Sequence, residues 1–183
     1  MRRVRIFLSD SAATAAAEMA LVAPLLITLM FGAAEVGNFF MDQHALDKQV
    51  RDGARFASRL ELSATYDCPG DVFAATDADD QIVNVTKTGA VSGTGNPRWD
   101  PTYWARQCGT DPVVSVSIRC VPKTDIDTDD SGYTGIYTSL SGTEIPVVTV
   151  SAAVRYRSVL GTLGLSQADM CMRAQSEAAV QGL

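Results

Sequence analysis

The sequence predicts an α+β fold: a long N-terminal transmembrane and stalk helix followed by a small antiparallel β-sheet domain with disulfides. Three observations predict it. An apolar segment near the N-terminus is long enough to cross a bilayer, two later segments alternate apolar and polar residues as half-buried strands do, and all four cysteines lie C-terminal to the apolar segment. At 183 residues the chain has room for one modest domain beyond an anchor and is short for two independent cores.

Between Ala12 and Ala34 the sole charged residue is Glu18, and Met19 to Ala34 carries none. As a helix this run is about 34 Å long, enough for the hydrocarbon core of a bilayer. Arg2, Arg3 and Arg5 are the charged side chains that precede Asp10, so the positive-inside rule keeps the N-terminus in the cytoplasm and exports the rest. The expected organisation is a basic cytoplasmic leader over 1–13, a transmembrane helix over 14–37, an amphipathic stalk helix over 38–62 and an extracytoplasmic β-rich domain over 63–183. That makes the chain a single-pass membrane protein with its C-terminal domain outside the cytoplasm. Two other readings fit the segment. A cleaved secretory signal would use the small residues Gly32, Ala33 and Ala34, but the run is long and contains Glu18. A buried helix of a soluble domain is rarely apolar on every side at this length.

Glu18 stands out within the anchor. A carboxylate at the centre of a membrane helix costs about 2.5 to 3.5 kcal/mol on insertion scales, so such a residue is normally paired, functional or close to the interface. Small residues from Ala12 to Ala17 and at Gly32, Ala33 and Ala34 suit close helix packing, and alanine is also simply a good helix former. Pro24 removes an intrahelical hydrogen bond and is expected to kink or loosen the helix near it.

Beyond the anchor, Leu46, Val50, Ala54 and Ala57 recur at helical spacing on one face, while Gln43, Asp47, Lys48, Arg51 and Asp52 cover much of the rest. His44, the chain's one histidine, sits in this stalk without a partner motif and reads as a solvated polar residue.

The cysteines Cys68, Cys108, Cys120 and Cys171 show none of the C-x-x-C spacing of a zinc ribbon or thioredoxin-like site. An even count outside the cytoplasm reads as two disulfides, against the alternative of buried reduced thiols. Sequence alone does not choose among the possible pairings; we expect Cys68 with Cys108, and Cys120 with Cys171.

Val113 to Val121 places Val114, Val116, Ile118 and Cys120 on one face opposite Ser115, Ser117 and Arg119, and Val148 to Arg157 repeats the pattern. Met170 to Val180 suits either a strand or a helix. The segment from Cys68 to Cys108 is rich in turn formers, with a possible short strand at Ile82 to Thr86. Its aromatic residues Trp99, Tyr103 and Trp104 read either as a binding patch or, more commonly, as a loop packed over the core. An antiparallel sheet packed on the stalk helix buries these faces.

No cofactor is expected; Asp127, Asp129, Ser131 and Gly132 match only the first half of a calcium loop, with Ca²⁺ as the alternative. Thr138 stands where an EF-hand needs its bidentate Glu, and a solvated turn held by Asx hydrogen bonds explains the same residues.

The net charge of −6 argues against nucleic-acid binding, which needs a concentrated basic face. There is no Gly-x-Ser-x-Gly elbow, His-Glu-x-x-His or phosphate-binding glycine loop, so no catalytic residues are assigned and no enzyme is expected. Carboxylate pairs such as Asp79 and Asp80 are the nearest thing to acid–base machinery in an acidic chain.

Three blocks in order carry a resemblance. They are Ala13-Thr14-Ala15-Ala16-Ala17-Glu18-Met19-Ala20-Leu21-Val22-Ala23-Pro24-Leu25-Leu26, then Phe31-Gly32-Ala33-Ala34-Glu35-Val36-Gly37, and Ala45-Leu46 through Arg51-Asp52-Gly53-Ala54-Arg55-Phe56-Ala57. Together they resemble the start of TadE-like proteins, minor pilins (pseudopilins) of the tight-adherence (Flp) type IV pilus system. The resemblance implies cleavage by a prepilin peptidase between Ala13 and Thr14, with Glu18 fifth in the mature chain and active in assembly by charge pairing. It also implies helix packing through Pro24, Gly32, Glu35 and Gly37, and it favours a strand at 170–180. Ala13 replaces the family's usual Gly before the cut, and Met19 replaces the aromatic residue that commonly follows the Glu.

The implied partners are the peptidase, other minor and major pilins, the pilus-assembly platform and the membrane. The expected function is that of a minor pilin or pilus-assembly subunit, with a membrane-tethered binding or adhesion module outside any filament as the alternative.

Overall fold

The computed structural model describes residues 11–95, 101–110, 112–123, 137, 143–163 and 170–182. The long helix α1 runs over Ser11–Ala57, followed by the short α2 (Leu62–Thr65), the hairpin strands β1 (Tyr66–Asp67) and β2 (Val72–Phe73), and helix α3 (Ala78–Thr88). A one-turn helix α4 (Pro101–Trp104) leads to β3 (Val114–Pro122), β4 (Glu144–Arg155), a 3₁₀ turn (Leu160–Leu163) and β5 (Cys171–Ala179). The expected α+β class is therefore present, with its antiparallel strands C-terminal to one long apolar helix.

The chain divides into two compact units, Met1–Phe40 with Ser158–Gln167, and Met41–Arg157 with Ala168–Leu183. The stalk part of α1 from Met41 onward thus belongs to the same unit as the strands.

In the first unit, α1 is long and apolar enough to cross a membrane, and only 6% of its most apolar window is buried. Leu21, Leu25, Met30 and Phe31 stand exposed on it. The helix continues through Pro24, where the Thr28 hydroxyl donates to the Pro24 carbonyl at 2.8 Å. Pro24 therefore leaves the helical assignment unbroken, although it still lacks a backbone donor.

In the second unit, the stripe Leu46, Val50, Ala54 and Ala57 is fully buried, as helical spacing required. The sheet orders its strands β3-β4-β5, all antiparallel. Central β4 buries Val148, Val150 and Val154 completely, joined by Met172 of β5 and Ile145. The opposite face is polar: the Ser115 and Ser151 hydroxyls meet at 3.1 Å, and Thr149 donates to Glu177. This period-two division of faces is what the alternating sequence predicts. β4 starts at Glu144, earlier than the alternation from Val148 suggests, because Pro146 interrupts the pattern. Pro146 fits there by using only its carbonyl, which accepts from Val180 N–H at 3.0 Å. The segment 170–180 is a strand, paired to β4 from Cys171 to Ala179.

Two sequence expectations are corrected. Ile82 to Thr86 is helical, as part of α3, because its buried residues Ala78, Ile82 and Thr86 fall four apart on one face. Asp79 and Asp80 in the first turn and Lys87 in the last complement the helix dipole, and Gly89 ends α3 in the left-handed conformation with φ +73°.

The disulfides join Cys68 to Cys120 and Cys108 to Cys171, with Cα separations of 5.7 and 5.8 Å. The expected pairing of Cys68 with Cys108 and Cys120 with Cys171 is thus wrong. The register gives the reason: Cys120 lies opposite Pro146 and Cys171 opposite Arg155, positions at the two ends of β4 about 30 Å apart at the rise of an extended strand. No disulfide spans that distance.

Three contacts fasten the stalk part of α1 and the residue that follows it to the rest of the unit. Gln43 donates to the Arg173 carbonyl of β5 at 2.9 Å, Gln181 N–H donates to the Ser58 carbonyl at 2.7 Å, and the Tyr66 hydroxyl donates to the Ala57 carbonyl at 2.6 Å. The stalk and the sheet accordingly share one packed core.

Candidate anchor and assembly surface

Ala13 and Thr14, where processing is expected, lie in the first turn of α1, and Glu18 is one turn further on with its side chain exposed. Residues four apart on a helix share a face, so the amine that a cut before Thr14 would create lies on the Glu18 side of α1. Gly32 and Gly37 have open space where a Cβ would stand, so both leave the helix surface free for close approach by another helix.

Glu35 has a different environment. It is 8% exposed, and its Oε2 accepts hydrogen bonds from the backbone N–H of Val159 at 3.0 Å and of Leu160 at 3.1 Å. Gly161 N–H in turn donates to the Ser158 hydroxyl at 2.8 Å. A carboxylate shared by two adjacent donors at the entry to a 3₁₀ turn acts as its cap, since those N–H groups have no partner within the turn. Sequence reasoning placed Glu35 in a family-like pattern but had no means of finding Val159 and Leu160, 124 and 125 positions away.

In the second unit, the cluster of the Cys68 and Cys120 sulfurs with a Glu144 oxygen has ligand-like proximity, within 4.8 Å. Both sulfurs are committed to the disulfide, so no thiolate is present to hold a metal. A recess of about 430 Å³ lies against the sheet, lined by Ser115, Ser151, Arg173 and Gln175 among others. His44 is exposed on α1, and Asp79 and Asp80 are exposed at the start of α3. Burial of the Tyr66 phenol raises its pKa well above the ordinary value.

Of the aromatic cluster, Trp104 is buried, in keeping with a loop packed over the core, and Trp99 lies outside the described residues. The acidic loop with Asp127, Asp129, Ser131 and Gly132 also lies outside them, as do the leader residues Arg2, Arg3 and Arg5.

No curated protein and no solved structure gives a significant match to the chain. The model of one family, described as TadE-like protein, matches residues 13–55. Those residues lie within α1 and include Glu18, Pro24, Gly32, Glu35, Gly37 and most of the buried stalk stripe. Over residues 13 to 55, about a quarter of its length, the chain is similar to TadE-like proteins.

Proposed function

We propose that the chain is a minor pilin or pilus-assembly subunit of a tight-adherence (Flp) type IV pilus, anchored in the inner membrane by α1 with the disulfide-bearing unit in the periplasm. One observation carries this reading: the TadE-like segment coincides with a helix that is exposed and apolar in its first half and amphipathic in its second. A prepilin peptidase cuts between Ala13 and Thr14. The new amine of Thr14 pairs with Glu18 of a neighbouring subunit, where a low-dielectric bundle makes an unpaired carboxylate costly, and the pair sets axial register. Gly32 and Gly37 let neighbouring helices approach. The subunit acts by assembly with other pilins and the assembly platform, and no step calls for catalysis.

Deleting the chain from its cell tests this. Loss of assembled pili, restored by the wild-type chain, supports the proposal. Pili that assemble normally in its absence leave a membrane-tethered binding or adhesion module.

A further inference from the structure

The turn that follows β4 is uncharged over Ser158 to Leu163 and belongs to the same compact unit as the apolar half of α1. Three consecutive N–H groups in it, those of Val159, Leu160 and Gly161, are all taken up by side chains: two by Glu35 and one by Ser158. Such complete pairing is unnecessary for a turn in water, which supplies partners freely. In lipid it is required, because irregular backbone is tolerated at membrane depth only where its polar groups are satisfied.

Side-chain placement agrees. Val159 is 50% exposed, and along α1 on either side of Glu35 the apolar residues Phe31, Val36 and Phe40 are exposed as well. Glu35 itself directly follows the uncharged run Met19 to Ala34, about 24 Å of helix, which puts it near the level where α1 leaves the hydrocarbon core. Arg157 immediately precedes the turn in sequence and is exposed, a charge suited to lipid headgroups.

We propose that the Val159–Gly161 turn, held by Glu35, is a second membrane contact seated at the headgroup–acyl boundary beside the anchor. The turn presents Val159 to lipid while Glu35, a residue otherwise costly at that depth, has its charge met by backbone donors. The contact ties the chain segment after β4 to the bilayer. It rests on the reading of α1 as a membrane helix.

The test uses the full chain in bilayers containing lipids brominated either near the headgroup or near the chain ends, with tryptophan emission as the readout. Three proteins are compared with the parent, whose own tryptophans set the baseline: Val159→Trp, Leu29→Trp as a marker within the anchor, and Val159→Trp combined with Glu35→Ala. The added emission of Val159→Trp is expected to be quenched more by the shallow bromines, and that of Leu29→Trp more by the deep ones. Replacing Glu35 is expected to weaken the shallow quenching. If Leu29→Trp is quenched and Val159→Trp is not, the turn faces water or protein and the proposal is overturned while the anchor stands. If neither is quenched, α1 is not in the bilayer and both fall. Shallow quenching that is indifferent to Glu35→Ala overturns the role given to the carboxylate.

Discussion

Gly53 of α1 and Thr86 of α3 approach so closely that a Cβ built on Gly53 would overlap the Thr86 hydroxyl. The Thr86 side chain is buried and donates to the Ile82 carbonyl at 2.8 Å, which holds it in place. Gly53 is therefore required by packing against α3, not by its backbone conformation. Gly53→Ala is expected to destabilise the second unit by roughly 1–3 kcal/mol through overpacking, despite alanine's better helix propensity. Adding Thr86→Ala should recover part of that loss, which denaturant titration of the single and double variants measures; a stabilised Gly53→Ala would mean that the two helices do not meet as described.

Tyr66 locks the hairpin to the end of α1 through its bond to the Ala57 carbonyl. Tyr66→Phe is expected to cost about 0.5–1.5 kcal/mol, towards the lower end because the carbonyl also accepts from Leu60 N–H. Burial raises the phenol's pKa in the fold above its unfolded value of about 10. The sign follows from proton uptake: the folded state holds this proton where the unfolded state has lost it, so the contribution is complete below about pH 10 and is lost as pH rises beyond it. The stability difference between wild type and Tyr66→Phe should accordingly shrink on going alkaline, as parallel unfolding curves at neutral and high pH would show.

The disulfide frame gives a third outcome. Peptide mapping without reduction is expected to recover fragments linking Cys68 to Cys120 and Cys108 to Cys171. Removing the second bridge by replacing both Cys108 and Cys171 with alanine should lower stability by about 2–4 kcal/mol, since it closes a long loop across the unit. Fragments linking Cys120 to Cys171 would contradict the strand register itself.

Much of this was legible because it is periodic. The stalk stripe from Leu46 to Ala57 and the alternation in β3 and β4 follow from local spacing: the structure buries the stripe and the apolar face of β4, and leaves Val114, Val116, Ile118 and Cys120 of β3 half-buried. What stayed hidden depends on contacts distant in sequence. The cysteine pairing needs the β3-β4-β5 register, and Glu35 meets Val159 only through the return of the chain after β4. The helix at Ala78–Thr88 was readable in principle, since the spacing of four from Ala78 to Ile82 to Thr86 and the terminal Gly89 are helical signals; a window confined to Ile82 to Thr86 is too short to reveal them.

Glu18 allows assembly to be separated from folding. Its side chain is exposed within the apolar half of α1, in a different compact unit from the disulfide-bearing core. Glu18→Ala is expected to leave the disulfides and the unfolding of the second unit unchanged while abolishing incorporation into pili or the assembly complex. Thermal unfolding and co-purification with pilins check the two halves, and normal incorporation of Glu18→Ala would remove the charge pair from the mechanism.

The most direct test of the chain as a processed pilus subunit is the N-terminal residue and mass of the protein recovered from membranes of cells with and without their prepilin peptidase. The proposal predicts a mature chain beginning at Thr14 that appears only when the peptidase is present. An unprocessed leader in both strains would contradict it and leave a tethered module, and a chain beginning after Ala34 would show that the apolar helix is a signal peptide.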